Sequence, residues 1–538
     1  MKLEQQTLPV NNHLLSEYWS GNDKLHTFFE YELKNESFLK RADYLKSMSY
    51  NSKELSRIVR TFMEPFGLSE KANEHLAYLA DGSLVIVGGQ QAGLLTGPLY
   101  SVHKAISVIL LAKEQSEKLG EKVVPLFWIA GEDHDIEEIN HTYTIVDAQP
   151  KKRVYRERSP YKKMATVTEL NKEELKQIID TIFRDFGETE YSQELYQSVL
   201  NSLHFSKTYT DFFAKLMNSL FYNEGLLMVD AAYEPFRKFE ADYFTRLIEN
   251  NKAIAEVVVK KEQLLNEAGF GTPIGATIES ANLFYVRDGE RLLLERKDEL
   301  FVNDNANIKL TKEELLNVAK RTPEQLSNNV VTRPLMQEMT IPVLAFVGGP
   351  GELAYWGTLK DAFNVLDLQM PIFVPRLNMT IISRQVEQLL NEYNLSVEDV
   401  MSGKSKQLKL EFMESVQDEV AKEQITKLSK LIDEQYSQLH AHLGKQQLHL
   451  DDILEKNRKY HQHQLEYLSN KIEQTVYSKH DKVIRQFNTL TSEIVPYDNF
   501  QERVYNPYQY INLYGPSFIS DLVSLPFKFS NRHYIVRM

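Results

Sequence analysis

Leu84-Val85-Ile86-Val87-Gly88-Gly89-Gln90-Gln91-Ala92-Gly93-Leu94-Leu95-Thr96-Gly97-Pro98-Leu99-Tyr100 is the stretch that decides the fold. It opens on an apolar, largely β-branched run that stops at a glycine pair. A strand buried on both faces reads this way where it enters a tight turn. Pro98 suits the first turn of a helix, where its missing N–H costs nothing. An apolar-periodic helix is expected from about 99 to 119, ending near Gly120, and a second strand over 123–129, ending at Gly131. Strand, glycine turn, helix, strand is a βαβ unit.

Outward from that unit the pattern repeats once. Residues 342–347 read as a strand, Gly348-Gly349-Pro350-Gly351 as the turn, 352 to about 366 as a helix and 372–375 as the next strand. A strand at 226–229, closed by Asp230, lies between the units. The pieces predict an α/β fold with one parallel sheet and two long insertions. The first, at about 150–220, is polar and mostly helical. The second, at about 235–330, carries a hairpin whose arms, 283–287 and 291–295, flank Asp288-Gly289. Residues 1 to about 80 are polar and mostly helical in pattern.

From about 386 the composition changes. Between 404 and 490 there is no Pro, and Gly444 is the only Gly. Apolar residues recur in steps of three and four through Ile425, Leu428, Ile432, Leu439 and Leu443, and again through Leu465, Leu468, Ile472, Val476 and Val483. That spacing is the seam of a coiled coil. Gly444 between the runs predicts two long helices folded back on each other, with Tyr436, Asn457 and His461 setting register. The expected division is therefore a core over 1–385, a helical coiled-coil domain over 386–490 that dimerises the chain, and an aromatic-rich segment over 491–538 that packs back on the core.

Composition narrows the function. The 538 residues carry 62 basic and 75 acidic side chains, a net charge of −13, which argues against a nucleic-acid backbone binder. No apolar run reaches the roughly 20 residues a membrane helix needs, and the N-terminus lacks a signal-peptide pattern, so a cytoplasmic protein is expected. The chain has no cysteine. That excludes thiolate metal sites and a thiol nucleophile, and it suits either chance or an enzyme that handles a thiol substrate.

Four segments can carry chemistry. The glycine turn over 88–97 lets a ligand approach the backbone, and the helix after it offers free N–H groups to an anion. The run Gly131-Glu132-Asp133-His134-Asp135 follows a strand end, where open α/β sheets place their ligands. Its carboxylates and histidine suit a substrate ammonium, a general base or a metal; the bland alternative is an acidic helix start. The turn Gly348–Gly351, followed by Tyr355 and Trp356, repeats the first theme. Pro375-Arg376-Leu377-Asn378-Met379-Thr380 ends the last parallel strand with polar groups suited to an anion. The candidate nucleotide contacts are Gly88, Gly89, Gln90, Gln91, Gly97, Gly348, Gly349, Gly351 and Arg376. The candidate substrate contacts are Tyr100, Lys104, Arg333 and Asn378, and the candidate catalytic groups are Asp133, His134 and Asp135.

These segments, in this order, resemble the BshC family, the cysteine-adding enzymes of bacillithiol biosynthesis. The resemblance rests on VGGQQAGLLTGPLY, FWIAGEDHDIEEIN, FVGGPGELAYW, VPRLNMT and FQERVYNPYQYINLYG, spread over nearly the whole chain. It implies a Rossmann-like nucleotidyltransferase core, insertions similar to the connecting peptides of class I aminoacyl-tRNA synthetases, and a coiled coil used for homodimerisation. It also implies a ligase that joins the carboxyl group of cysteine to the amine of glucosaminyl-malate. Amide formation from a free carboxylate is uphill in water, so ATP or ADP is the nucleotide expected on chemical grounds. Against class I synthetases, Gln90, Gln91 and Thr96 stand where a HIGH motif would be, and Arg376 stands in for the mobile lysine of the KMSKS loop. The superficially similar 401–405 reads as a linker. Two other readings stay open: a nucleotidyltransferase acting on another small acid, and a non-catalytic nucleotide-binding assembly protein.

Overall fold

The computed structural model describes residues 1–6, 12–156 and 163–538. Part of the first insertion, 157–162, and residues 7–11 of the N-terminal stretch lie outside the described residues. The chain divides into two compact units: Met1–Ile145 with Lys151–Ile381 and Asn499–Met538, and Val146–Pro150 with Ile382–Asp498.

The first unit is built on five parallel strands: β1 (Leu84–Gln90), β2 (Val123–Ile129), β3 (Leu227–Asp230), β4 (Val343–Gly348) and β5 (Ile372–Pro375). Their order is β5-β4-β1-β2-β3. The chain starts in the middle, winds out to one edge, then returns to fill the other side, as a doubly wound Rossmann sheet does. β2 is buried at every position, which accounts for its unbroken apolar run. The helix Leu99–Leu119 crosses from β1 to β2 and ends at Gly120, whose φ of 69° is the left-handed cap that glycine adopts without strain. Gly88 lets that helix lie close to β1; a Cβ there would stand 2.6 Å from Val108 Cγ2.

One expectation is corrected, and two are extended. The helix expected from 352 to about 366 is two short helices, Pro350–Trp356 and Lys360–Val365. Gly357 sits tightly against Leu265 and Phe29, and the Thr358 hydroxyl donates to Tyr355 O at 2.7 Å, closing the first helix early. The hairpin of the second insertion, Ser280–Arg287 with Glu290–Lys297, is part of a five-stranded antiparallel sheet with Leu300–Asn303, Ile308–Thr311 and Leu326–Asn328. The N-terminal stretch contains a strand as well as helices: Lys2–Gln6 pairs antiparallel with His533–Arg537. The first insertion carries the helices Lys172–Phe186, Ser192–Phe205 and Tyr209–Leu220.

The second unit is helical. Glu419–Lys445 and Asp451–Lys479 form an antiparallel hairpin, with Ser429 facing Gln462 and Asp433 facing Arg458. Tyr436 Oη and His461 Nδ1 meet across it at 3.2 Å. Gly444 lies inside the last turn of the first helix, and the chain reverses over 446–450. Residues 401–405 join the helices Val397–Met401 and Lys404–Ser415 through a short turn, with Gly403 in the left-handed region between them. Neither hairpin helix has a fully buried residue, and Leu428, Leu431, Leu439 and Leu468 are exposed.

Candidate functional site

The strand order reverses between β1 and β4, and the crevice beyond their carboxyl ends is where such sheets take ligands. A cleft of about 950 Å³, open mouth included, lies there. β1 supplies Gly89 and Gln90, with Gln91 just beyond it. The helix that follows supplies Tyr100 and Lys104, the loop after β2 Ala130 and Asp133, and the turn after β4 Gly349, Gly351 and Glu352. Arg333, Arg376 and Arg503 complete the wall. Four cationic side chains thus face two carboxylates, so the cleft is set up for an anionic ligand.

The charges are held in distinct ways. Lys104 is buried and gives its three ammonium protons to Gly89 O at 2.7 Å, Gln90 Oε1 at 3.0 Å and Glu352 Oε2 at 2.6 Å. Burial pushes its pKa down, and Glu352 opposes that. Its donors are spent on tying β1 to the turn after β4, so Lys104 shapes the cleft and has none left for a substrate. Glu352 Oε2 also accepts from Gly349 N at 2.8 Å. The chain's own carboxylate therefore occupies the anion cradle that the 348–351 turn presents.

Arg376 is different. Its guanidinium is forked onto Glu502, NH1 to Oε2 at 2.8 Å and NH2 to Oε1 at 2.6 Å, and NH1 also reaches Leu377 O at 3.2 Å. Of five N–H groups three are used, and the rest remain for the cleft. His103 Nδ1 meets Glu502 Oε2 at 2.8 Å. Burial disfavours the Glu502 charge, but Arg376 and His103 more than offset it and hold the carboxyl far below the usual range. Burial keeps His103 neutral, with Glu502 opposing. Arg333 donates to the Tyr355 hydroxyl, whose pKa burial pushes up to about 12.

On the acidic side, Asp133 Oδ2 accepts from Gln91 Nε2 at 2.7 Å, and the same amide reaches Glu138 Oε2 at 3.1 Å. Asp133 Oδ1 accepts from the backbone N–H groups of His134 and Asp135 at 2.8 and 3.3 Å. Beneath it, Glu132 is buried between Arg237 and Ser327. Burial opposes its charge, and Arg237 and Arg291 outweigh the burial, so it stays ionised. Arg291 lies 3.8 Å from Asp133 and stacks on the Phe284 ring at 3.9 Å.

The sequence-derived candidates therefore separate. Gly89, Gln90, Gln91, Gly349, Gly351, Arg376, Tyr100, Lys104, Arg333 and Asp133 come together on the cleft wall. Gly88 and Gly348 instead serve packing against Val108 and Phe373, and Gly97 has its carbonyl bound by Asn506 Nδ2 at 2.9 Å. His134 is turned edge-on toward Phe284, Asp135 is exposed, and Asn378 starts the strand Asn378–Ile382; none of the three lines the cleft. Glu352, Glu502 and Arg503 were not singled out from sequence. Among the described residues no three His, Asp or Glu side chains gather as metal ligands, and no helix is long and apolar enough to cross a membrane.

Comparison with known proteins matches this architecture. Residues 1–377 fit the family model described as bacillithiol biosynthesis BshC, N-terminal Rossmann-like domain, and residues 379–538 fit the BshC C-terminal coiled-coil domain. A protein of Lysinibacillus sphaericus is 58% identical over 536 residues, covering 100% of both chains. Proteins of Bacillus licheniformis and Geobacillus kaustophilus are 36% and 38% identical, again covering 100% of both chains. All three carry the name "Putative cysteine ligase BshC". With a Rossmann-like unit, a coiled-coil unit and relatives matched from end to end, this chain belongs to the BshC family of bacillithiol biosynthesis.

Proposed function

We propose that this chain is a cysteine ligase that condenses the carboxyl group of cysteine with the amine of glucosaminyl-malate, using ATP to activate the carboxylate. Its relatives' names point to cysteine ligation. The observation that supports the substrate is the mixed charge of the cleft lining, which brings Arg333, Arg376 and Arg503 together with Asp133, oriented by Gln91. A malyl group brings two carboxylates and pairs with the arginine wall. An amine enters as an ammonium and is held by Asp133.

Direct amide formation from a carboxylate is uphill, so a leaving group is installed first. Attack of the cysteine carboxylate on ATP gives either an acyl-adenylate and pyrophosphate or an acyl-phosphate and ADP. The sugar ammonium gives a proton to solvent and the neutral amine attacks the acyl carbon; the carbon–nitrogen bond forms, the nitrogen loses its second proton to solvent, and the bond to AMP or phosphate breaks. Arg376 neutralises charge that builds on the leaving group. Asp133 positions the amine; Gln91 and two backbone N–H groups fix its carboxylate and take three of its roughly four acceptor sites, leaving one for an ammonium.

The test is purified protein with glucosaminyl-malate, cysteine and ATP, with ATP omitted in parallel, read by mass of the product. Product only with ATP supports the proposal. Product without ATP removes the activation step, and no product with a folded protein returns the chain to the other two readings.

A further inference from the structure

The cleft is completed by a segment that comes late in the chain. Residues 501–506, Gln-Glu-Arg-Val-Tyr-Asn, form a strap with an anchor at each end. The Gln501 amide accepts from Ile381 N and donates to Ile381 O, both at 2.8 Å. At the other end, Tyr505 O accepts from Leu99 N at 2.8 Å, the first residue of the helix Leu99–Leu119. Asn506 Nδ2 donates to Leu95 O at 2.7 Å, where Leu95 and Thr96 hold positive φ angles of 49° and 68°. Non-glycine residues persist in that region only where their surroundings hold them.

Between the anchors the strap lays Glu502 under the cleft and Arg503 on its wall. An arginine on a cleft wall has a long, freely rotating side chain and loses rotamer entropy when fixed. Glu502 removes that freedom in advance: its two oxygens match the fork of Arg376, and His103 holds the carboxylate from behind. We propose that Glu502 is a positioning residue, fixing the Arg376 guanidinium in its working place, so that the cleft becomes competent only when the strap is seated. The inference rests on the cleft being the substrate site.

Double-variant kinetics separate this role from a structural ion pair. Glu502→Gln is expected to lower kcat/KM by about ten- to a hundredfold, the scale of a misplaced binding group. In an Arg376→Ala background the same change should alter kcat/KM by less than about twofold, because a residue acting through Arg376 has nothing left to act on. A second readout needs no substrate. Phenylglyoxal modification of Arg376, followed by peptide mass, should be several-fold faster in Glu502→Gln than in the unaltered protein. If Glu502→Gln does not fold, Glu502→Asp keeps the charge one methylene shorter and should show a smaller rise in labelling and a smaller loss of activity. Multiplying losses in the double variant, or labelling at the unaltered rate in whichever of the two variants folds, would overturn the proposal. Failure of the unaltered protein to make product would instead remove the reading of the cleft, while the labelling would still decide whether Glu502 holds Arg376.

Discussion

Glycines of one turn do different work, and substitution separates them. Gly89 faces the Trp128 backbone of the neighbouring strand, and a Cβ there would collide with a carbonyl that cannot move without breaking the sheet. Gly89→Ala should lower unfolding stability in urea by about 1–3 kcal/mol, the usual cost of overpacking. Gly349 has room: its Cβ would lie 3.7 Å from Arg376 Nε and from Glu352 Oε2, ordinary contact distances. Gly349→Val should therefore fold normally while weakening ATP or ADP binding in calorimetry, since the added methyls enter the cleft. A folded variant with unchanged affinity would move the nucleotide to another pocket. At this scale the glycine-rich turns and Arg376 were legible because strand ends followed by glycine announce themselves in sequence. Glu502 was not, since its partners lie 126 and 399 residues away and one carboxylate in a polar stretch has no periodicity to betray it.

At the level of elements, the junction behind the cleft stores charge. Asp230 ends β3 against Gly131, whose missing Cβ makes space for it, and it accepts from Thr166 Oγ1 at 2.5 Å and from Ala232 N at 3.0 Å. Burial pushes its carboxyl up from 3.8 to about 6, with those hydrogen bonds pulling the other way. A raised folded-state value means the fold favours the protonated acid. Its contribution is full below the unfolded value near 4 and is lost as pH rises through about 6. At pH 7.5 the ionised group therefore costs of order 2–3 kcal/mol. Asp230→Asn should gain that much on the unaltered protein between pH 4 and pH 7.5 in urea unfolding; a pH-independent difference would show that the acid is not held neutral. The parallel strand beside this junction could be read from sequence because burial on both faces leaves only apolar residues, as in β2. The strand Lys2–Gln6 could not: all but Leu3 of its residues are polar and, among the described residues, its partner is a strand from the other end of the chain. The break at Gly357 depends on contacts with Leu265 and Phe29, which no local pattern encodes.

For the whole molecule, we propose a homodimer joined through the helical hairpin. The two helices bury no residue fully and leave Leu428, Leu431, Leu439 and Leu468 exposed, an apolar surface that a second copy would cover. Deleting 410–485 should give a monomer in sedimentation velocity, and a truncated chain that stays dimeric would place the interface elsewhere. The heptad-like spacing made this unit legible, whereas the site of reversal was not: Gly444 is tolerated inside the helix, and the turn falls on Gln-Gln-Leu-His-Leu at 446–450, which holds no Gly, Pro, Asn or Asp. The strap has a consequence for how the protein is made. Arg376 leaves the ribosome 126 residues before Glu502. At about 5–20 residues per second the nascent core waits on the order of ten seconds with the Arg376 guanidinium still lacking its Glu502 partner. The Rossmann sheet can assemble in that interval, but its cleft cannot be finished. A product cut short anywhere in the helical hairpin would carry every strand of the parallel sheet but lack Glu502 and Arg503, so the cleft is complete only after translation has passed the last coiled-coil turn.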